Sequence, residues 1–183
     1  MSSLSLAGDT SGNITLAAPA VAGTTAITMS AVSGIMVVLP TTVSMVRLNT
    51  ANGYGSTNTV IRRFTNTVNN TGPDITYADS ATLGATFTIN TDGVYAISYS
   101  DGYGAQSFTG LTLNTTQPTV AINSLSSASQ VLAEGFILSN NAAINISWTG
   151  RLTASDIVRA HTQGIASGSS PAGATQFTIA RVA

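Results

Sequence analysis

The chain has 183 residues, a mass of 18.5 kDa and a net charge of −1, and only 7% of its residues are charged. It contains no cysteine and no lysine, which excludes disulfide scaffolds, zinc–thiolate sites, thiol nucleophiles, phosphate-loop lysines and Schiff-base chemistry. Six arginines against seven carboxylates leave no surplus of positive charge, so nucleic-acid binding is not expected.

The polar character of the chain comes mainly from 28 threonines and 22 serines, which favours strands and turns over exposed helices. The N-terminus lacks a basic region followed by a long apolar run, so no secretory signal is predicted. The longest apolar stretch, 35–39, is too short to cross a bilayer. We therefore expect synthesis in a cytoplasm and no membrane insertion. We also expect a surface buried against partners, because monomers rely on surface charge for solubility.

Residues 11–43 form three segments that align without gaps at a period of eleven. Each has glycine second and valine last, with a β-branched stretch between them, which predicts a turn and a short strand. Such small units need another surface to bury their apolar side. The sequence therefore predicts an N-terminal β-arm, residues 1–50, that docks on partners; a simple meander at the edge of one domain is the alternative. The arm residues expected at the interface are Gly12, Ile14, Leu16, Val21, Gly23, Ile27, Val32, Gly34, Val37 and Leu39.

The remainder, 51–183, is typical of a succession of strands separated by turns, and no segment shows a sustained helical period. The predicted strands are 59–64, 85–89, 94–100, 107–113, 119–122, 131–138, 143–148, 157–161 and 176–182. Turns are predicted at Asn52-Gly53, Gly72-Pro73-Asp74, Asp92-Gly93, Asp101-Gly102, Thr149-Gly150 and Ser170-Pro171. Strands at this spacing predict an all-β antiparallel jelly-roll sandwich over residues 51–183.

Three segments of this region carry a resemblance to a known family. Residues 87–95, Phe-Thr-Ile-Asn-Thr-Asp-Gly-Val-Tyr, resemble the paired strands of the tumour necrosis factor and complement globular-head superfamily. Residues 152–158 resemble its Leu-x-x-Gly-Asp-x-Val segment, with Ser155 in place of the glycine, and 177–182 resemble its closing strand. The resemblance covers roughly residues 60–182. It implies a ten-stranded jelly roll assembled as a three-fold trimer, whose inner strands meet along an apolar axis.

Residues 6–23 resemble the opening of small structural proteins of tailed bacteriophages, which often carry a Gly/Thr/Ala arm before a trimeric β-domain. The resemblance implies a homotrimer in a virion. Physical reasoning agrees, because edge strands are usually blunted by lysine or other charge, and this chain has little of either. A monomer whose loops cover its edges is the alternative. Core or trimer packing is expected for Phe87, Tyr95, Trp148 and Phe177.

Catalysis is not predicted, and neither is a metal or another cofactor. His161 is the single histidine, and Asp156, five residues away, would point to the opposite side of a continuous strand. The chain also has no Gly-x-Ser-x-Gly elbow, so His161 is expected to be a satisfied strand or interface residue. Asp92 and Asp101 each precede glycine and are expected to form hairpin turns.

Two loops repeat the sequence Gly-Tyr-Gly, around Tyr54 and Tyr103. Held out on flexible loops, these tyrosines would stack on a sugar ring or enter a pocket of a partner. The alternative is that each tyrosine folds back over the core.

Arg62 and Arg63 form the one pair of adjacent charges. Either they dock on an acidic patch of a partner, or one of them pairs with Asp74 or Asp79.

Taken together, these features predict a non-enzymatic bacteriophage virion protein. The role expected first is a trimeric capsid cement, or decoration protein, whose partner is the major capsid protein or another virion component. The alternative is a tail or head fibre subunit whose jelly roll binds host-surface glycans. The number of copies in each particle separates the two.

Overall fold

The computed structural model describes residues 3–7, 13–17, 43–56, 60–103, 106–126, 130–138, 142–163 and 174–183. The chain divides into two compact units, Met1–Val38 and Leu39–Ala183. In the first unit, β1 (Ser3–Ala7) and β2 (Asn13–Ala17) pair as a two-stranded antiparallel sheet.

The second unit contains two five-stranded antiparallel sheets, which confirms the predicted all-β sandwich. Its strands are β3 (Met45–Tyr54), β4 (Arg62–Thr71), β5 (Ile75–Ser80), β6 (Gly84–Ile89), β7 (Gly93–Tyr103), β8 (Ser107–Leu113), β9 (Val131–Ile137), β10 (Ala142–Leu152), β11 (Ile157–Thr162) and β12 (Gln176–Arg181). The first sheet has the order β10-β7-β12-β3-β4, and the second has the order β5-β6-β11-β8-β9. Neighbours in each sheet are mostly distant in sequence, as in a jelly roll.

The core lies between the sheets, and alternation along the strands explains it, because successive side chains point to opposite faces. Phe87 and Ile89 of β6 are fully buried, whereas the threonines between and beside them are half-buried. Phe177 of β12 belongs to the opposite sheet, and its ring stacks on that of Phe87 with 4.0 Å between centroids. This pair therefore joins the two layers at the centre of the sandwich.

Several predicted elements agree with the structure and others are corrected. The strand predicted at 107–113 coincides with β8, but 119–122 is not a strand, because the chain turns there and enters a short 3₁₀ helix, Ile122–Ser124. The turns predicted at Asp101-Gly102 and Thr149-Gly150 are also wrong. Both dipeptides lie inside long strands, where β7 and β10 pair over eleven consecutive residues.

The strand β3 was not predicted, and it crosses the predicted boundary between residues 50 and 51. It pairs with β12 and β4, so the sandwich takes in residues assigned from sequence to the arm. The predicted turn at Asn52-Gly53 is an irregularity within β3 instead. Gly53 and Thr50 have φ values of 68° and 65°, and the pairing with β4 shifts between Ala51 and Tyr54.

The segment 114–126, which we call the strap, follows β8 and lies against the outer side of β8 and β11 in the second sheet. Its carbonyl groups at Thr115, Pro118 and Val120 accept hydrogen bonds from Arg159, the backbone of Val60 and His161, respectively. Ile122 packs so closely over Gly110 of β8 that a Cβ at Gly110 would lie 2.7 Å from the Ile122 Cδ1 atom. The strap is thus held by polar contacts and by packing.

Candidate assembly face and buried tyrosine cluster

One surface of the sandwich lacks a covering layer within the described part of the chain. It is the side of the first sheet that faces away from the core, and we call it the outer face. On β3, Val46 and Leu48 point inward and are fully buried, so Met45 and Arg47 point outward. On β12, Phe177 and Ile179 point inward, so Thr178 and Ala180 point outward.

Strand register divides the outer face into an apolar and a polar half. Ala180 lies opposite Met45 on one side and Ala96 on the other. The next row toward the strand ends contains Val43, Val94 and Val182. The Val182 amide donates a hydrogen bond to the carbonyl of Val94, and Val43 lies two residues before Met45 and so points to the same side. Side chains of Val43 and Val182 are 61% and 52% exposed. The apolar half therefore consists of Val43, Met45, Val94, Ala96, Ala180 and Val182.

The other half of the outer face is polar and carries little charge. Its central row runs from Arg47 through Thr178 and Ser98 to Ser147. The row beyond it contains Asn49, Gln176, Ser100 and Asn145. A mostly uncharged polar surface, continuous with an apolar half, suits packing against another protein better than binding of a charged ligand.

A buried ion pair organises the opposite end of the sandwich core. The Arg62 Nε and Nη2 atoms donate to the two Asp101 carboxylate oxygens at 2.8 and 2.7 Å. Asp101 also accepts hydrogen bonds from the hydroxyls of Tyr99, Tyr103 and Thr175 and from the Gly102 amide. Its side chain has no exposed surface, so the carboxylate is desolvated and fully compensated by donors.

Both Gly-Tyr-Gly tyrosines converge on this cluster. The Arg62 guanidinium lies 4.6 Å from the ring centroid of Tyr54 and 5.3 Å from that of Tyr103, which are cation–π distances. Burial and the neighbouring charge of Asp101 raise the pKa of Tyr103 well above its ordinary value. Burial likewise raises the pKa of Tyr54, although Arg62 lowers it in part. Both phenols therefore stay protonated at neutral pH.

This arrangement corrects the expectation that the two tyrosines are held out for a ligand. Tyr103 is 1% exposed and lies in β7, and Tyr54 is half-buried at the end of β3. The alternative interpretation, that each tyrosine folds back over the core, is confirmed. The expectation that Asp101 forms a turn is wrong, because the aspartate accepts the Arg62 ion pair inside a strand.

The two adjacent arginines have different roles. Arg63 donates three hydrogen bonds to the Asp79 carboxylate, the shortest of them 2.7 Å, so the predicted pairing of one arginine with Asp79 is confirmed. Arg62 is buried and therefore does not present its charge to an acidic patch of a partner. Asp74, the other predicted acceptor, bonds to Ser44 and lies 3.4 Å from Arg181.

His161 is buried in β11 beneath the strap. Its Nε2 atom lies 2.8 Å from the carbonyl oxygen of Val120, which is able only to accept, so Nε2 carries the proton. The Nδ1 atom is then free to accept from the Thr112 hydroxyl at 3.3 Å. Burial lowers the pKa of His161, and the charge of Arg159 lowers it further. The expectation of a satisfied strand histidine is confirmed.

The remaining predicted residues fall into three places. Phe87, Tyr95 and Phe177 are fully buried in the core, and Trp148 packs half-buried at its margin, over Gly150. Of the predicted arm residues, Ile14 and Leu16 belong to β2. Eight others, Gly12, Val21, Gly23, Ile27, Val32, Gly34, Val37 and Leu39, lie outside the described residues.

Sequence reasoning missed the Arg62–Asp101 pair and the apolar half of the outer face. The charged partners are 39 residues apart and lie on strands from different regions of the sheet, so no local spacing identifies them. The repeated Gly-Tyr-Gly sequence is the available signal, but neither interpretation of its tyrosines identifies the charged pair that they contact. The apolar half combines residues from the two ends of the sandwich sequence, which only the register β12–β3 brings together.

No helix in the described part of the chain is long and apolar enough to cross a membrane. No group of three or more histidine or carboxylate side chains there is arranged to hold a metal ion.

The fold resembles solved structures, whereas the sequence matches no family model and no curated protein. A crystal structure of murine APRIL at pH 8.5 superposes with a TM-score of 0.53 at 10% identity, covering 77% of this chain and 99% of that one. Murine APRIL at pH 8.0 and pH 5.0 superposes with TM-scores of 0.51 at 11% and 12% identity, covering 76% of this chain and 99% of that one. The sandwich is therefore a tumour-necrosis-factor-like jelly roll.

Proposed function

We propose that this protein is a non-enzymatic structural subunit that assembles as a homotrimer through the apolar half of the outer face. The observation that carries the proposal is the cluster of Val43, Val182 and their neighbours on a sheet face without a covering layer among the described residues. A contiguous exposed apolar patch rimmed by polar residues is typical of a protein–protein contact.

A second copy of the chain is the partner that suits this face best. Two charged residues lie on the rows of this face, Arg47 in the central row and Arg151 opposite Val94 on the edge strand β10, and the remaining positions carry no charge that would repel an identical copy. Closed symmetry buries the face in every copy and leaves no open patch. The tumour-necrosis-factor-like fold supports self-association, and the resemblance of the sequence to that family implies three copies.

The role we propose for the trimer is that of a cement or decoration protein on a bacteriophage capsid, with the major capsid protein as its partner and the virion as its location. The resemblance of residues 6–23 to the arms of phage structural proteins supports this role. In the fibre alternative, Tyr54 and Tyr103 are the candidate sugar-binding residues, and Tyr103 is buried against Asp101. We therefore place glycan binding second.

The absence of an enzymatic role is part of the same proposal. His161 uses both ring nitrogens in contacts with Thr112 and Val120. Asp156 is bonded to Thr153 and Asn114 near the β10–β11 turn. Neither residue is therefore free to act on a substrate as an acid or a base.

The copy number of the chain in purified particles tests the role. Quantitative mass spectrometry against the major shell protein is expected to give a ratio near one to one for cement. A ratio of a few per cent would contradict the cement role and favour a fibre subunit.

A further inference from the structure

Asn52 and Gly53 form the one Asn-Gly dipeptide of the chain, and they lie in the irregular part of β3. The pairing of β3 with β4 shifts between Ala51 and Tyr54, so neither residue of the dipeptide has a partner in that register. On its other side, the register of β3 with β12 extends only as far as Asn49. Residues without a partner in the ladder are able to change conformation while the rest of the sandwich stays folded.

The surroundings of this dipeptide are open. Asn52 and Gly53 are both exposed, and the Asn52 side chain makes no hydrogen bond to another residue in the described part of the chain. Gly53 has a φ of 68°, and a Cβ atom placed on it would meet no atom within 4 Å. The glycine therefore combines backbone freedom with space in which to move.

Other exposed asparagines of the sandwich are restrained. The Asn114 side chain accepts a hydrogen bond from the Ile157 amide at 2.7 Å. Asn123 precedes Ser124, whose backbone amide is already hydrogen-bonded, at 2.8 Å, in the short 3₁₀ helix. The side chain of Asn52 has no comparable restraint among the described residues, and the glycine that follows it offers no side chain to hinder approach to its nitrogen.

We propose that Asn52 is a site of spontaneous deamidation in the folded protein. The Gly53 backbone nitrogen attacks the Asn52 Cγ atom and closes a five-membered succinimide ring. The new N–Cγ bond replaces the bond to the side-chain amide nitrogen, which leaves as ammonia with the proton of the attacking nitrogen. Water then opens the ring at either of its carbonyl groups, which gives aspartate or isoaspartate at position 52. One water is consumed, one ammonia is released, and the chain gains one negative charge.

A comparison of the folded and the unfolded chain tests the proposal. Both are incubated at mildly alkaline pH, the unfolded one in urea, and trypsin then releases residues 48–62 by cleavage after Arg47 and Arg62. Mass spectrometry of this peptide, against synthetic standards, measures aspartate and isoaspartate at position 52. We expect the reaction of the folded chain to be slower than that of the unfolded chain by less than about tenfold, because an irregular exposed segment opens at little cost.

The contrary result is well separated from this expectation. If Asn52 reacted only after global unfolding, the folded chain would deamidate about a thousandfold more slowly than the unfolded chain, or more slowly still. Protection by more than about tenfold would therefore overturn the proposal.

Asn52→Gln is the matched control, because glutamine keeps the side-chain amide but closes a six-membered ring far more slowly. One added charge is visible on a chain of net charge −1, so isoelectric focusing is expected to show acidic forms of the native chain that increase with time and far fewer forms of Asn52→Gln. Asn114 and Asn123 are internal controls and are expected to stay unmodified. Equal acidic shifts in the two proteins, or faster deamidation at Asn123 than at Asn52, would also overturn the proposal.

Discussion

At the scale of single residues, Asp101 has the most demanding environment in the described part of the chain. It is fully buried, and its two oxygens accept bonds from Arg62 and from three hydroxyl groups. Removing one charge of a buried pair leaves the other desolvated and uncompensated. This contrasts with Arg63–Asp79, in which both side chains remain partly in water.

We predict that Asp101→Asn lowers the free energy of unfolding by about 3–5 kcal/mol, because the buried Arg62 guanidinium loses its counter-charge. The matched control is Asp79→Asn, which removes the partner of the partly exposed Arg63 and should cost at most about 1 kcal/mol. Urea unfolding followed by tyrosine and tryptophan fluorescence measures both. Equal losses for the two variants would show that the buried cluster does not stabilise the sandwich as described.

Ser155 has a positive φ at the position where the resembled segment has glycine. The resembled segment has glycine at this position, and Ser155 adopts a φ of 78°, a left-handed conformation that glycine reaches without cost. Ser155 therefore holds a backbone conformation that costs a serine more than it would cost a glycine.

At the scale of elements, the strap and β11 are coupled through His161. The groups that face the imidazole are the Val120 carbonyl of the strap, the Thr112 hydroxyl of β8 and the charged Arg159 on its own strand. Glu134 of β9 lies one strand further, opposite Gly110. None of the closest groups offers a negative charge that would stabilise a protonated ring.

Stability should therefore fall on acidification. Burial lowers the pKa of His161 in the folded state, whereas in the unfolded chain this histidine has its ordinary pKa of about 6.5. The unfolded chain therefore binds the proton more readily as the pH falls below about 6.5, and the free energy of unfolding decreases. We predict a lower urea midpoint at pH 5.5 than at pH 7.5, and a smaller difference for His161→Gln, whose amide still donates to Val120. Identical pH dependence in the two proteins would contradict this.

The choice of pH range keeps other groups out of that comparison. Hydrogen bonds lower the pKa values of Asp74 and Asp156, and the charge of Arg181 lowers that of Asp74 further, so the stability that these carboxylates contribute is lost only at more acidic pH. Burial raises the pKa of Glu134, so protonation of that side chain favours the folded state on acidification and acts in the opposite direction to that of His161. The decrease in urea midpoint that is due to His161 is therefore the part of the decrease that is absent in His161→Gln.

Strands were predicted correctly where the residue types alternate as in a β-strand. They were missed where contacts between distant parts of the chain determine the backbone conformation. The strand β8 has a β-branched and aromatic sequence and was predicted with its observed bounds. In contrast, Asp101-Gly102 and Thr149-Gly150 have the composition of turns but continue β7 and β10, because an ion pair satisfies Asp101 and Gly150 makes room for the Trp148 ring. Such contacts connect distant parts of the chain and leave no local pattern.

At the scale of the whole molecule, the fold class was predictable and the assembly surface was not. Alternating apolar residues such as Phe87 and Ile89 are enough to indicate a sandwich. The outer face depends on register, because Val43 and Val182 stand 139 positions apart and become neighbours only when β12 pairs with β3. The account of function depends on that juxtaposition.

The central claim is that copies of the chain meet through the apolar half of the outer face. The most direct measurement is the mass in solution, by sedimentation equilibrium, of the native chain, of Val182→Asp and of Leu83→Asp. Val182 and Leu83 are both 52% exposed, but Leu83 lies in the β5–β6 turn, away from the outer face. The account predicts three times the 18.5 kDa chain mass for the native protein and for Leu83→Asp, and a shift toward one chain mass for Val182→Asp. A native monomer, or a Val182→Asp trimer as stable as the native one, would contradict it.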